Sequence, residues 1–114
     1  MEEKVLKLLY DIRFAIREIE TFSAEFPQTF NEYKKNFLLK RAVERDLEII
    51  GEAVNRILQI EKDFPIKNAK RIVGLRNQII HAYDNISDEN IWAILVKHLP
   101  LLKKEVDSLI QSQE

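Results

Sequence analysis

Apolar residues recur at steps of three and four in four separate stretches of the chain, and nowhere at the steady step of two that a half-buried strand needs. An α-helix turns about 100° per residue, so side chains three and four apart share one face. The first stripe, Val5, Leu8, Leu9, Ile12, Ile16 and Ile19, predicts a helix over about residues 2–21. Residues 22–30 break the pattern with Pro27, and a second stripe, Val43, Leu47, Ile50, Val54, Ile57 and Leu58, predicts a helix from about Asn31 to Lys62. Phe64-Pro65 ends it, because proline lacks the N–H that the helix ladder uses and restrains the residue before it.

Asn68 is the expected cap of a third helix reaching about Tyr83, with Leu75, Ile79, Ile72 and Ala82 toward the core. After a break at Asp84-Asn85-Ile86-Ser87, Ser87 should cap a fourth helix, with Asp88 and Glu89 in its first turn where negative charge suits the helix dipole. Its stripe is Trp92, Leu95, Val96, Leu99, Leu102, Val106 and Leu109, and Pro100 inside it predicts a kink or a restart near Leu99. Four striped helices with short links predict an all-α fold, an antiparallel up-and-down four-helix bundle with a kinked last helix. At 114 residues the chain suits one domain, 1–114.

With no cysteine, neither a disulfide framework nor a thiolate metal site can form, which fits a reducing compartment. Charges interrupt MEEKVLKLLYDIR before a signal-peptide core develops, and no apolar run suffices for a membrane span. A soluble, cytoplasmic protein is therefore expected. Lys and Arg number 18 against 19 Asp and Glu, so the net charge of −1 creates no overall field for nucleic acid. Locally, however, Lys67, Lys70, Arg71 and Arg76 lie between Asp63 and Asp84 without an acidic residue, and Lys34, Lys35, Lys40 and Arg41 cluster upstream. Anion binding is thus a local possibility.

LRNQIIHAYDN, residues 75–85, places polar groups with catalytic chemistry on the third helix. With Arg76 set at zero, Asn77 and His81 fall at about 100° and 140°, and Lys70, Gly74 and Lys67 at about 120–180° on the same side. Val73 and Ile80, at about 60° and 40°, border this polar stripe and suggest a second contact surface, with a cleft against a partner subunit. Because Arg76 and His81 are about 140° apart, two copies of the motif related by a two-fold axis complete a site more easily than one copy does.

Histidine titrates nearest neutrality, so His81 could take a proton from a ribose 2′-hydroxyl or return one to a leaving oxygen. Arginine stays charged and forks onto phosphate oxygens, so Arg76 could hold the substrate and stabilise developing charge. Together they suffice for RNA cleavage by internal transesterification without a metal. On spacing alone, a structural or solvated His81 and a helix-end aromatic at Tyr83 are the commoner readings. Glu52, inside IIGEAV, pairs on the commoner reading with Arg56 one turn later; the other reading has it orienting Arg76 or His81. His98, near the Pro100 kink, is left outside the site. No His and carboxylate spacing resembles a metal motif, so neither a metal nor another cofactor is expected.

Arginine, asparagine, then histidine, any residue and tyrosine, as in LRNQIIHAY, resembles the HEPN domain superfamily motif. RAVERDLEIIGEAVNRI, FPIKNAKRIVGLRNQIIHAYDNIS and IWAILVKHLPLLKKEV resemble successive blocks of its HepT-like branch, covering about residues 5–109, and Arg76, Asn77, His81 and Tyr83 all match the motif. One departure occurs at PIKNAKRI, where many relatives carry a tryptophan and this chain has Asn68 or a neighbour. The resemblance implies a dimeric helical bundle whose two motifs face each other, and a ribonuclease toxin of the HepT/MntA toxin-antitoxin family. It implies a partner as well, an MntA-like nucleotidyltransferase antitoxin that can silence the toxin by transferring AMP to Tyr83. The site expected is then Arg76 and His81 as catalytic pair, Asn77 in support, Lys70 and Lys67 toward RNA, and Tyr83 as the modified residue. The alternative is a non-catalytic nucleotide- or RNA-binding subunit of a nucleotidyltransferase complex.

Overall fold

The computed structural model describes residues 2–25, 29–81 and 86–113. Pro27, Ala82, Tyr83 and the Asp84-Asn85 pair lie outside the described residues. Among the described residues the chain forms α1 (Glu3–Glu25), α2 (Phe30–Lys35), α3 (Phe37–Ile60), α4 (Ala69–His81), α5 (Asp88–Ala93) and α6 (Leu99–Gln111), with a π turn at Ile94–His98 and no strand. The all-α expectation holds. α1 packs along α3 and against α6, while α4 lies on α3. Every residue of the first stripe is buried, as are Val43, Leu47, Ile50, Val54 and Ile57 of the second, with Leu58 packed at its edge.

The helix expected from Asn31 to Lys62 is two helices. Asn36 leaves helical geometry (φ −96°, ψ 91°), and its side-chain oxygen accepts the Leu39 N–H at 3.0 Å. Asparagine competes for backbone groups in this way, which makes it a better cap than an interior residue. Thr29 caps α2 likewise, accepting the Glu32 N–H at 3.1 Å. The short α2 carries Tyr33 into the core, with its ring centroid 5.7 Å from that of Trp92.

Phe64 and Ile66 bury the link after α3. Asn68 then adopts φ 61°, the left-handed region in which asparagine is among the few tolerated side chains, and its carbonyl accepts the Ile72 N–H at 3.1 Å. Before it, the Lys67 N–H donates to Glu105 Oε2 of α6 at 2.8 Å. Lys67 therefore precedes α4 and does not share the helical stripe on which the periodicity placed it, because Asn68 turns the backbone between them.

Ser87 caps α5 as expected, accepting the Asn90 N–H at 3.1 Å. The Pro100 disturbance takes the form of a wide turn in which the Leu99 N–H donates to the Ile94 carbonyl, five residues back, and the proline enters the first turn of α6. That extra residue rotates the buried face: Ile91, Leu99, Val106 and Ile110 are buried, whereas Val96, expected inside, is 54% exposed. No described helix is long and apolar enough to cross a membrane.

One charged side chain sits in the core among the described residues: Asp46 of α3, 3% exposed. Burial, then a hydrogen bond to Glu18 of α1 and the charge of that neighbour, push its carboxyl up to about 7. The folded chain thus keeps a proton that the unfolded chain releases near the ordinary carboxylate value. Its stabilising effect is complete at acid pH and is lost as pH rises toward 7. Asp46→Asn should therefore match wild type near pH 4 and become the more stable protein by pH 8, by ~1 kcal/mol or more. Urea unfolding of both at the two pH values checks this, and a difference that does not change with pH contradicts it.

Candidate active site

The site begins with a glycine inside a helix, a costly residue there unless something needs the space. A Cβ built on Gly51 of α3 would stand 2.2 Å from Arg76 Cβ, 3.0 Å from Arg76 Cγ and 3.1 Å from the Ile72 carbonyl. No real side chain tolerates that first distance. Gly51 is thus what lets α4 approach α3 closely enough for Arg76 to be seated.

The guanidinium of Arg76 is then held at its far end. Nη2 lies 2.6 Å from Glu52 Oε2, Nη1 donates to Asn77 Oδ1 at 2.9 Å, and Nε is buried without a hydrogen-bond partner. Glu52 also accepts from Arg56 Nε at 3.1 Å through its other oxygen. Both partners that the sequence offers Glu52 on its own helix and on α4 are therefore met at once, one per oxygen: Arg56 one turn along α3 and Arg76 across on α4. Asn77, expected in support, contacts the arginine directly.

Arg76 forms part of the wall of a groove of about 510 Å³ between α1 and α4 across α3. Leu8, Phe14, Ile49, Ala53 and Ile80 supply its apolar lining, and Asp11, Arg45, Glu48, Glu52 and Arg56 its charges. Phe14 stands 66% exposed there. Ile80, which the wheel placed beside the polar stripe, lines this groove, whereas Val73, its companion in that reading, packs against the core.

His81 is the last residue of α4 and is exposed, as are Asn77 and Lys70. Five residues of helix separate it from Arg76, a rise of about 7.5 Å and a rotation of about 140°. The structure thus brings Arg76, Asn77 and Glu52 together and leaves His81 at the helix end on another flank. Tyr83 lies outside the described residues. Lys67 and Lys70 are exposed at the opposite end of α4 from His81. Of the upstream basic cluster, Lys40 is paired with Asp88 at 3.1 Å and Arg41 with Glu44 at 2.9 Å, so it is less bare than its sequence suggested. His98 sits on the π turn. Among the described residues no group of His, Cys, Asp and Glu converges as a metal site would.

The family model for HepT-like ribonucleases matches residues 12–109. The chain belongs to the HepT-like ribonuclease family. A candidate RNase of Methanocaldococcus jannaschii is 38% identical over 104 residues, covering 90% of this chain and 94% of that protein. A second candidate RNase, from Caldanaerobacter subterraneus subsp. tengcongensis, is 32% identical over 94% of this chain and 91% of its own. A Thermococcus cleftensis protein named as a candidate ribonuclease HepT is 31% identical over 89% of this chain and 91% of its own. No solved structure matches the chain.

For this HepT-like chain the motif is readable in the sequence and Arg76 is one of the partners the sequence offers Glu52, but Gly51 as the seat of Arg76 is not. Gly51 carried a signal, a lone glycine in the middle of an apolar helical pattern, which asks for a close approach without naming the partner. The pairing of Glu52 with Arg76 spans two helices, so the sequence offers it only as the less common alternative to the local pair with Arg56. The two helical glycines make opposite predictions. Gly51→Ala should cost about 1–3 kcal/mol through overpacking against Arg76. Gly74→Ala, where an added Cβ meets nothing within 4 Å, should gain about 0.5–1 kcal/mol from helix propensity alone. Denaturant titration of both variants measures these changes, and equal signs would contradict the close packing of α3 on α4.

Proposed function

We propose that the protein is a metal-independent endoribonuclease acting as a homodimer, a single-domain four-helix bundle that pairs so that two copies of the Arg76 and His81 motif share one cleft. The observation that carries this is the placement of the pair. Arg76 is fixed in a groove wall while His81 ends the same helix about 140° away. One copy holds the two groups on different flanks of α4, and a second copy related by a two-fold axis would supply the missing partner of each. Two further features support the reading. Among the described residues the backbone of α4 runs close to α3 alone, and Lys70, Gly74, Asn77 and His81 on its outer flank are exposed. The groove beside it mixes apolar lining with both signs of charge, Arg45, Arg56 and Arg76 against Asp11, Glu48 and Glu52, as a self-complementary interface would.

In the reaction, the ribose 2′-oxygen attacks the adjacent phosphorus as a histidine takes its proton, the bond to the 5′-oxygen breaks, and that oxygen leaves with a proton returned to it. The products are a 2′,3′-cyclic phosphate and a 5′-hydroxyl. Arg76 offsets the charge that grows on the phosphate oxygens, and Lys70 and Lys67 approach the RNA backbone beyond. The family context extends this to a cytoplasmic toxin whose antitoxin is an MntA-like nucleotidyltransferase. AMP transferred to Tyr83, two residues past His81 in the sequence, would attach a bulky anion to the motif that carries Arg76 and His81.

Purified protein should cleave a labelled RNA pool in EDTA, and His81→Ala should lose about 10²–10⁴-fold in rate while keeping its oligomeric state. Equal cleavage by both proteins would place the activity elsewhere. RNA binding without cleavage by wild type would favour the helical subunit of a nucleotidyltransferase complex that binds and does not cut. Incubation with a cognate nucleotidyltransferase and ATP followed by mass spectrometry tests Tyr83, and an unmodified Tyr83 counts against the silencing step.

A further inference from the structure

Two consecutive residues of α3 govern Arg76 from opposite ends. Gly51 admits its Cβ, and Glu52 grips its guanidinium. We propose that Glu52 is a positioning residue for the reaction at Arg76, holding the guanidinium in the one orientation that serves the phosphate; this rests on the ribonuclease reading above. Each Nη nitrogen of arginine carries two protons. With Glu52 on Nη2 and Asn77 on Nη1, one proton on each remains for phosphate oxygens, and the two occupied ones fix the plane. The buried, unpartnered Nε cannot compensate by turning toward water, so the orientation depends on the Nη contacts.

The second oxygen of Glu52 adds a charge argument. It bears Arg56 at 3.1 Å, so one carboxylate separates two guanidinium groups and leaves the trio with a single net positive charge. Removing the carboxylate raises that charge and frees Arg76 to swing. RNA should then bind as tightly as before or tighter, while the chemical step slows because the cation no longer meets the phosphate in the right place. A purely structural role makes a different prediction. The pair is partly solvated, with side-chain exposures of 24% and 35%, so its loss alone should move the melting temperature by less than about 5 °C.

The test uses Glu52→Ala, which keeps a good helix former in α3, with Glu52→Gln as the isostere that retains a hydrogen bond without the charge. Expected is a fall in kcat on the order of 10–100-fold in Glu52→Ala with KM unchanged or lower, partly restored in Glu52→Gln. In parallel, nitrogen-15 NMR of the arginine side chains should show a restricted guanidinium that disappears in Arg76→Lys and becomes freely rotating in Glu52→Ala. An unchanged kcat overturns the proposal, and so does a loss of turnover that merely follows a loss of folded protein. If wild type cleaves no RNA, the ribonuclease reading fails by itself. The NMR signal then decides separately, since an Arg76 resonance indifferent to Glu52 overturns the clamp and a Glu52-dependent one upholds it.

Discussion

The close crossing of α4 over α3 at Gly51 is the constraint on which the rest of the site depends. α4 contributes no fully buried side chain, and among the described residues the helix whose backbone it runs close to is α3. Ile72, Val73, Leu75 and Ile79 pack against the core from its edge. Partial burial of a few aliphatic side chains is a modest anchor for a helix of 13 residues. What it lacks in area it gains in proximity. A backbone without a Cβ at Gly51 allows the stem of Arg76 to sit against α3, and the chain entering the helix is tied to α6 through Lys67 and Glu105. The outer face of α4 remains available because the inner face is held by contact with a single neighbour.

Periodicity reads faces, and where a helix is continuous and one-sided it reads them well. Every apolar position assigned to the core in α1 is buried, and so are five of the six in α3, because each of these stripes runs along an uninterrupted helix. The errors have a common origin in single residues that change the phase of the helix. Asn36 cuts α2 from α3 by capping, and the five-residue turn before Leu99 carries Val96 outward. Pro100 announced the second event without its form. Asparagine within a helical pattern announced the first only weakly, since an asparagine side chain pointing to solvent leaves the same sequence trace. Asp46 is a different case. It lies three residues after Val43 and four before Ile50, on the buried face by spacing alone, although carboxylates are ordinarily found at the surface, and Glu18 on another helix is the partner that accompanies its burial.

The site was legible where its parts are local. Arg76, Asn77 and His81 could be placed on one helix and their angular separation obtained from residue numbers. The pair of Glu52 with Arg56 is likewise an i to i+4 relation that any helix presents. The contact of Glu52 with Arg76 joins residues 24 apart on two helices, and no periodicity within either helix encodes it. A charged residue can serve the local and the distant partner at once because a carboxylate has two oxygens, so finding the first partner never excluded the second.

How Arg76 is held also bears on why such an ion pair belongs at a catalytic site. As a contribution to stability, a half-solvated pair is minor, since water screens it and two long side chains lose freedom in making it. As a constraint on direction, it is efficient. The stem of Arg76 has already surrendered most of its freedom to the packing at Gly51, so little further entropy is lost when Glu52 fixes the tip. A cation fixed before substrate arrives need not reorganise while charge moves onto the phosphate, and that absence of reorganisation is the part of electrostatic stabilisation that accelerates a reaction. Shape at one end of the side chain and charge at the other therefore act in sequence, and removing the shape would leave the charge with nothing well placed to hold.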